Sequence, residues 1–252
     1  MRCVELPVFF VPAWILKMRV LDPMQRATQG SVDAACIARK TGWAINLSGG
    51  YHHATRDGGG GFCVYPDITF VTHYMEQWFG YKRFLIIDLD AHQGNGHERD
   101  HRDKEKFYII DAYNHNIYPG DEVALPFISH DIPMTRRMSD SDFLTEVDSA
   151  LQQAFQEFRP DFVVYNAGTD CMAGDPLGNL NISEQGIVER DELVFRYCYE
   201  VYKVPVVMLL SGGYQMSNAP VIAQSVTNLC QKFNLLDSRP PSQNLDQEDV
   251  SQ

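Results

Sequence analysis

The sequence predicts an α/β fold, a doubly wound and mostly parallel sheet flanked by helices, and three observations predict it. Short apolar runs at residues 43–47, 84–87, 107–110, 162–165 and 205–210 have the continuous Ile, Val and Leu content of strands buried on both faces. Between them lie segments of helical period, and regular alternation of strand and helix specifies a parallel sheet with crossover helices. Four of the runs stop close to small residues and reactive side chains, as expected where strands open into a crevice at the carboxyl edge of such a sheet. At 252 residues the length suits one such domain, expected over residues 1–236.

Taken in order, Val8-Phe9-Phe10-Val11 is expected to be a brief strand stopped by Pro12, with an irregular stretch through Pro23. Residues 30–40 carry small apolar side chains at helical spacing and end at Thr41-Gly42, a helix stop. The strand at 43–47 ends in Ser48-Gly49-Gly50-Tyr51-His52-His53. Gly58 to Gly61 leads into a helix through Phe79; with no Gly-Lys-Ser/Thr following, it is not a phosphate loop. The strand beginning at Phe84 runs into Asp88-Leu89-Asp90-Ala91-His92. The dense charge run at 97–106 reads as a solvated helical face with no chemistry assigned to it. A strand at 107–110 leads to Asp111 and a turn at Tyr118-Pro119-Gly120. Residues 141–158 place Phe143, Leu144, Val147, Leu151, Ala154, Phe155 and Phe158 on one helical stripe, with Ser141 as N-cap. The strand at 162–165 breaks into Asn166-Ala167-Gly168-Thr169-Asp170. A helix over about 183–201 precedes the last strand, which ends in Ser211-Gly212-Gly213-Tyr214. Residues 237–252 are polar, carry Pro240-Pro241 and have no apolar period, so a disordered tail is expected there.

Lys and Arg number 21 and Asp and Glu 33, a net charge of −12. That balance disfavours direct nucleic acid binding or an anionic membrane and favours cationic ligands such as lysine-rich tails. Six cysteines without a C-x-x-C pair suggest reduced thiols and an intracellular compartment, nucleus or cytoplasm. The opening apolar stretch is interrupted by Glu5, Pro7 and Pro12 and is too short for a signal core or a membrane span.

Asp88 and Asp90, two residues apart, project to one face of a strand end, with His92 just beyond. Two ionised carboxylates there need a cation or tight pairing, and Asp-x-His offers a metal one carboxylate oxygen and one imidazole nitrogen. The plain alternative is a pair of Asp side chains capping nearby backbone beside an ordinary loop histidine. Taken singly, His52-His53 is a packing pair, Asp170 a turn former and Tyr214 an aromatic cover over a strand end. In an open parallel sheet, however, these loops face one crevice. Together they supply three metal ligands, a base and a hydroxyl donor, the requirements of metal-assisted hydrolysis.

The stretch Asp88-Leu89-Asp90-Ala91-His92-Gln93-Gly94-Asn95-Gly96 has Gly49-Gly50-Tyr51-His52-His53 before it. Asp170-Cys171-Met172-Ala173-Gly174-Asp175-Pro176 and Gly212-Gly213-Tyr214 follow it. In this order and spacing the chain resembles the zinc-dependent histone deacetylase family over about residues 7–225. Gln93-Gly94-Asn95-Gly96 followed by His97-Glu98-Arg99-Asp100 is most similar to its class IV branch, the histone deacetylase 11 type. The resemblance implies an arginase- and deacetylase-like sheet and hydrolysis of the acyl amide on lysine side chains of proteins such as histone tails. It also implies corepressor or other deacetylase subunits as partners, and a role in chromatin and transcription regulation.

The same resemblance implies the roles of single residues. Asp90, His92 and Asp170 would hold one zinc ion, which iron(II) could replace in a site of two oxygen donors and one nitrogen donor. His53 would be the general base, and His52, hydrogen-bonded to Asp88, its electrostatic partner. Tyr214 would donate its hydroxyl to the oxyanion, and Gly61, Phe62 and Tyr118 would line the acyl-lysine channel. Asp88, Asp90 and His92, with Asp111 and Ala112, match the place of a structural monovalent cation, potassium.

Two departures stand out. Asn95 occupies a position where most members have an Asp beside the second histidine, so the partner of His53 is expected to be less anionic. The family's N-terminal strand and rim loops are also unmatched, so an N-terminally truncated sheet is expected to expose an edge and apolar surface unless something covers it. A catalytically weak or inactive paralogue acting as a binding or scaffold subunit is therefore the alternative reading. Deacylation of a small amine such as a polyamine is a related one. A binuclear manganese centre is disfavoured because Gln93-Gly94 follows His92 where a further carboxylate ligand is needed.

Overall fold

Among the described residues six strands form one sheet: β1 Trp43–Asn46, β2 Phe84–Asp88, β3 Phe107–Asn114, β4 His130–Met134, β5 Phe162–Asn166 and β6 Val206–Leu209. Their order is β1-β6-β5-β2-β3-β4, and every neighbouring pair is parallel. The structure, a computed structural model, describes residue 8 and residues 10–236. The helices are α1 Ala13–Leu16, α2 Asp22–Thr41, α3 Asp67–Phe79, α4 Asn95–Asp100, α5 Asp140–Gln153, α6 Glu184–Phe195 and α7 Asn218–Lys232.

Alternate residues of every strand but β4 enter two different cores, which is why those strands read as unbroken apolar runs. Phe84 and Ile86, with Ile109, Val164 and Val207, pack against Ala34, Ala35 and Ala38 of α2 and Ile68, Val71 and Met75 of α3. Leu85 and Ile87, with Ile110, Val163 and Tyr165, pack on the opposite side against Phe143 and Val147 of α5, Ile187 and Val194 of α6 and Leu229 of α7. The alanines of α2 let its backbone approach the sheet closely, whereas the α5 side is filled by larger side chains. Helices on both faces leave only the strand ends open, and the sites lie there.

The structure differs from the sequence expectation at several elements. Val8 to Val11 is not a strand: Val11 N donates to Val8 O at 3.0 Å, closing a turn, and Phe9 lies outside the described residues. The stretch through Pro23 is helical, because α1, a π-helical segment Lys17–Leu21 and α2 follow one another without a break. A proline inside a helix removes a hydrogen bond and crowds the preceding turn. The wider π turn, in which Asp22 N donates to Lys17 O, accommodates it.

Strand β4 lacks a continuous apolar run because among the described residues it is an edge strand, paired to β3 alone, with Asp131 and Pro133 exposed and Ile132 and Met134 buried. The N-cap of α5 is Ser139, whose Oγ accepts from Asp142 N at 3.1 Å, not Ser141. The charge run at 97–106 is not a solvated face throughout: α4 buries Gly96, His97 and Glu98, and His101 is buried beyond it. At the other edge, β1 pairs only with β6 among the described residues, and Phe10, Trp14 and Met18 are exposed near the start of the described chain. Residues 237–252, expected to form a tail, lie outside the described residues. Among the described residues no helix is long and apolar enough to cross a membrane.

Because Ile86 is wholly buried, Ile86→Ala is expected to cost about 2–5 kcal/mol of stability. The loss should appear as a lower urea midpoint. Ile37→Ala, at a side chain 54% exposed, should stay within about 0.5 kcal/mol.

Candidate functional site

Strands β2 and β5 are neighbours from which the connections diverge, β2 leading to β3 and β4 on one side and β5 to β6 on the other. At such a switch point the loops part and leave a crevice. Asp90 and His92 follow β2 and Asp170 follows β5, so the crevice receives all three. His92 Nδ1 lies 2.8 Å from Asp170 Oδ2 and 3.1 Å from Asp90 Oδ1. One donor atom from each residue falls within 4.8 Å of the others, and all three residues are buried. Two carboxylates and an imidazole converging in this way fit a divalent first-row metal.

The surrounding chain orients these groups. Asp90 Oδ2 accepts from Gly212 N at 2.9 Å and Ser211 Oγ at 3.0 Å, and Asp170 Oδ1 accepts from Ala91 N at 2.7 Å. A Cβ on Gly212 would stand 2.6 Å from oxygens of both Asp90 and Asp170, so only glycine fits between them. Burial would lower the His92 pKa, but hydrogen bonds to Asp170 and Asp90 carry it up to about 10. Burial, then the Asp90 charge, raises Asp170 to about 7. Burial also opposes ionisation of Asp90, yet His52 and His92 hold it well below the usual carboxylate range. The cluster therefore calls for positive charge at its centre.

The loop after β1 is held by buried Asp67, which accepts from Gly50 N and Tyr51 N, each at 2.8 Å. This anchoring sets two histidines side by side, their ring centroids 4.1 Å apart. His52 Nδ1 is hydrogen-bonded to Asp88 Oδ2 at 2.9 Å. Burial would lower the His52 pKa, but the Asp88 and Asp90 charges raise it to about 9. His53 Nδ1 is hydrogen-bonded to Asn95 Oδ1 at 2.8 Å. Burial, then the His52 charge, pushes its pKa down to about 3. The pair thus divides into a charged histidine and a neutral one.

His53, Gly61, Phe62, His92, Ile117, Tyr118, Leu177 and Tyr214 line a cavity of about 250 Å³. A Cβ on Gly61 would come within 2.2 Å of the His53 ring, so the absence of a side chain there keeps the wall close to His53. Phe62 takes a left-handed φ of +66°, a conformation a bulky residue rarely adopts, and its ring lies 6.2 Å from that of Tyr214. Tyr118 meets the His53 ring edge-on at 5.0 Å. Tyr214 is placed by its own N–H, which donates to Asp175 Oδ2 at 2.8 Å. Burial, followed by the Asp90 and Asp170 charges, raises its hydroxyl pKa, keeping it a proton donor.

A second buried group joins Asp88, His97 and Asp111, with donor atoms within 4.8 Å of one another. Asp88 and Asp111 are register partners across β2 and β3, and Ala112 follows in β3. Asp111 Oδ2 accepts from Gly94 N at 2.8 Å. Asp111 Oδ1 and Glu98 Oε1 are buried without a hydrogen-bond partner. Burial, then the Asp88 and Glu98 charges, raises Asp111 well above the usual range. Two orphaned buried carboxylate oxygens fit a cation at this place.

Sequence reasoning missed several supports. His97 Nε2 is hydrogen-bonded to Asp88 Oδ2 at 2.8 Å, and Asn166 Nδ2 donates to Asp88 Oδ1 at 2.8 Å. Fully buried Arg190 donates through Nη1 to Leu89 O at 3.1 Å and Gly168 O at 2.6 Å, tying the loop after β2 to that after β5. The available signal was Arg190-Asp191 standing within the apolar stripe of Ile187 and Val194 on α6.

The family model described as the histone deacetylase domain matches residues 13–230. Histone deacetylase 2 of Arabidopsis thaliana is 46% identical over 234 residues, 93% of this chain and 60% of that protein. Histone deacetylase 8 of Xenopus tropicalis is 29% identical over 191 residues, 72% of this chain and 50% of that protein. This chain therefore spans between half and two thirds of the length of these relatives. Among solved structures, an acetylpolyamine aminohydrolase from Burkholderia pseudomallei superposes with a TM-score of 0.68 at 22% identity, over 80% of this chain and 60% of that one. An HDAC homolog complexed with SAHA gives 0.71 at 24% identity, over 87% and 59%. Both share this chain's fold.

Gly212→Ala is expected to weaken the affinity of this cluster for an added divalent metal by about 10-fold or more, because it displaces both carboxylates. Competition with a chromogenic chelator would measure this. Gly58→Ala, where a Cβ meets nothing within 4 Å, should leave that affinity as it is in the unaltered chain.

Proposed function

The chain belongs to the histone deacetylase family, and we propose that it hydrolyses the acyl amide on lysine side chains of proteins such as histone tails, releasing a carboxylate and free lysine. One observation carries this reading: His53, His92 and Tyr214 line a single cavity, and His92 shares its donor cluster with Asp90 and Asp170. Asp90, His92 and Asp170 would hold one zinc ion or iron(II), which when bound polarises the acyl carbonyl and makes water a stronger acid.

The chain's own residues supply the remaining chemistry. With Nδ1 occupied by Asn95, His53 offers Nε2 to take the proton of the attacking water and return it to the departing lysine amine. His52, charged against Asp88, keeps positive potential beside the developing negative charge and holds His53 neutral. Tyr214 donates its hydroxyl to the developing oxyanion. Gly61, Phe62 and Tyr118 would enclose the aliphatic stem of the lysine, and the net charge of −12 favours basic tails. Asp88, Asp111 and Ala112 would hold a structural potassium ion. Asn95 supports the class IV assignment. Corepressor or other deacetylase subunits are the partners implied, in nucleus or cytoplasm.

Zinc-loaded protein should turn over lysine peptides from a panel of short and long acyl chains. His53→Ala and Tyr214→Phe should each lower kcat by about 10²–10⁴-fold. Folded, zinc-bound protein without turnover would instead support the scaffold reading. A base must be unprotonated to act, and activity is lost as pH falls through its pKa. Because His53 is held at about 3, kcat/KM should be insensitive to histidine protonation between about pH 6 and 8. An acid limb centred on 6.5, the ordinary histidine value, would contradict this assignment.

A further inference from the structure

We propose that Asp121, clamped by Arg99, is a positioning residue for His53 and acts through Asn95; the inference rests on His53 being the general base. Asn95 and Arg99 lie four residues apart on one face of α4 and grip the same carboxylate. Asn95 Nδ2 donates to Asp121 Oδ2 at 3.1 Å, while Arg99 Nε and Nη2 donate to Asp121 Oδ2 and Oδ1, both at 2.6 Å. Asp121 is further fixed at its backbone, where its N–H donates to Gln93 Oε1 at 3.0 Å and its carbonyl accepts from Gln93 Nε2 at 3.1 Å. The chain of contacts runs His53, Asn95, Asp121, Arg99.

The chemistry of the groups gives this chain a direction. An amide can turn over and present either oxygen or nitrogen to a neighbour. An ionised carboxylate only accepts, so the NH₂ of Asn95 must face Asp121 and its oxygen must face His53. Nδ1 of His53 must then carry the proton, leaving the Nε2 lone pair free for the reaction. A reversed amide would donate to Nδ1 and move the proton to Nε2, a tautomer unable to act as base. Arg99, bonded to both oxygens, keeps Asp121 ionised and so keeps it a pure acceptor. An aspartate at position 95 would need no such guard, because either oxygen would accept from Nδ1. The neutral residue at 95 is thus made directional by a charge one side chain further out.

The test compares zinc-loaded Asp121→Ala and Asp121→Asn proteins, in the native and Asn95→Asp backgrounds, by steady-state kinetics and by ¹⁵N NMR of histidine-labelled protein. Asp121→Ala should lower kcat about 10-fold with KM and zinc content unchanged, and Nε2–H tautomer should appear at His53. In the Asn95→Asp background the loss should shrink to about 2-fold, with Nδ1–H retained. Asp121→Asn keeps the shape of the side chain, so a tautomer change there separates orientation from misfolding. Equal losses in both backgrounds, or an unchanged tautomer in both Asp121 variants, would overturn the proposal. The NMR signal does not need turnover, so an inactive protein with the expected tautomer shift would count against the base assignment and not against the relay.

Discussion

Three carboxylates, those of Asp88, Asp90 and Asp170, lie almost without solvent at the ends of two adjacent strands, and their compensation is the constraint on which the rest of the structure depends. An isolated buried carboxylate costs far more than a domain's net stability. Each oxygen here is therefore met by a donor. Asp88 receives His52, His97 and Asn166, Asp90 receives Ser211, Gly212 N and His92, and Asp170 receives Ala91 N and His92. Arg190 adds a guanidinium beneath the loops that carry them. Removing one donor would strand a charge, which is why so many different elements are committed to one small volume.

That commitment explains the choice of residues around it. Packing carboxylates from two strands against a third loop leaves no room for a Cβ at Gly168 or Gly212. The histidine pair then divides by environment alone. His52 faces two carboxylates and His53 faces an amide, so adjacent residues of one type take opposite charge states. The cavity outside sets the rings of Phe62, Tyr118 and Tyr214 with Ile117 and Leu177 beside His53 and His92, a mainly apolar lining with a few placed polar groups.

Much of this was legible in the sequence because strands buried on both faces show as apolar runs, and because reactive residues at their ends stand out against glycine. The order and spacing that resemble the deacetylase family group Asp90, His92 and Asp170 in the sequence itself. Elements whose signal is tertiary were not legible. Pro23 suggests a break, but a π turn absorbs it. Strand β4 is half exposed, so its pattern resembles a loop. His97 and Glu98 sit in a run of charges that composition assigns to solvent, although the short helix carrying them turns inward beneath the strand ends. Arg190 is hidden for a related reason, since a buried arginine is recognisable only from the carbonyls it meets.

The place of β1 in the sheet has a temporal consequence. The loop bearing His52 and His53 follows β1, which among the described residues is an edge strand paired to β6 alone, the last of the described strands to be made, and the contact of Ser211 Oγ with Gly50 O spans 161 residues of chain. Asp90, His92 and Asp170 are all synthesised once β5 and its loop have emerged, whereas His53 and Tyr214 meet only after β6 closes the edge. The acidic cluster is itself incomplete until then, because Asp90 takes two of its donors, Ser211 Oγ and Gly212 N, from the loop after β6. The site is thus completed only when β6 docks, and fraying of that one edge is enough to open it.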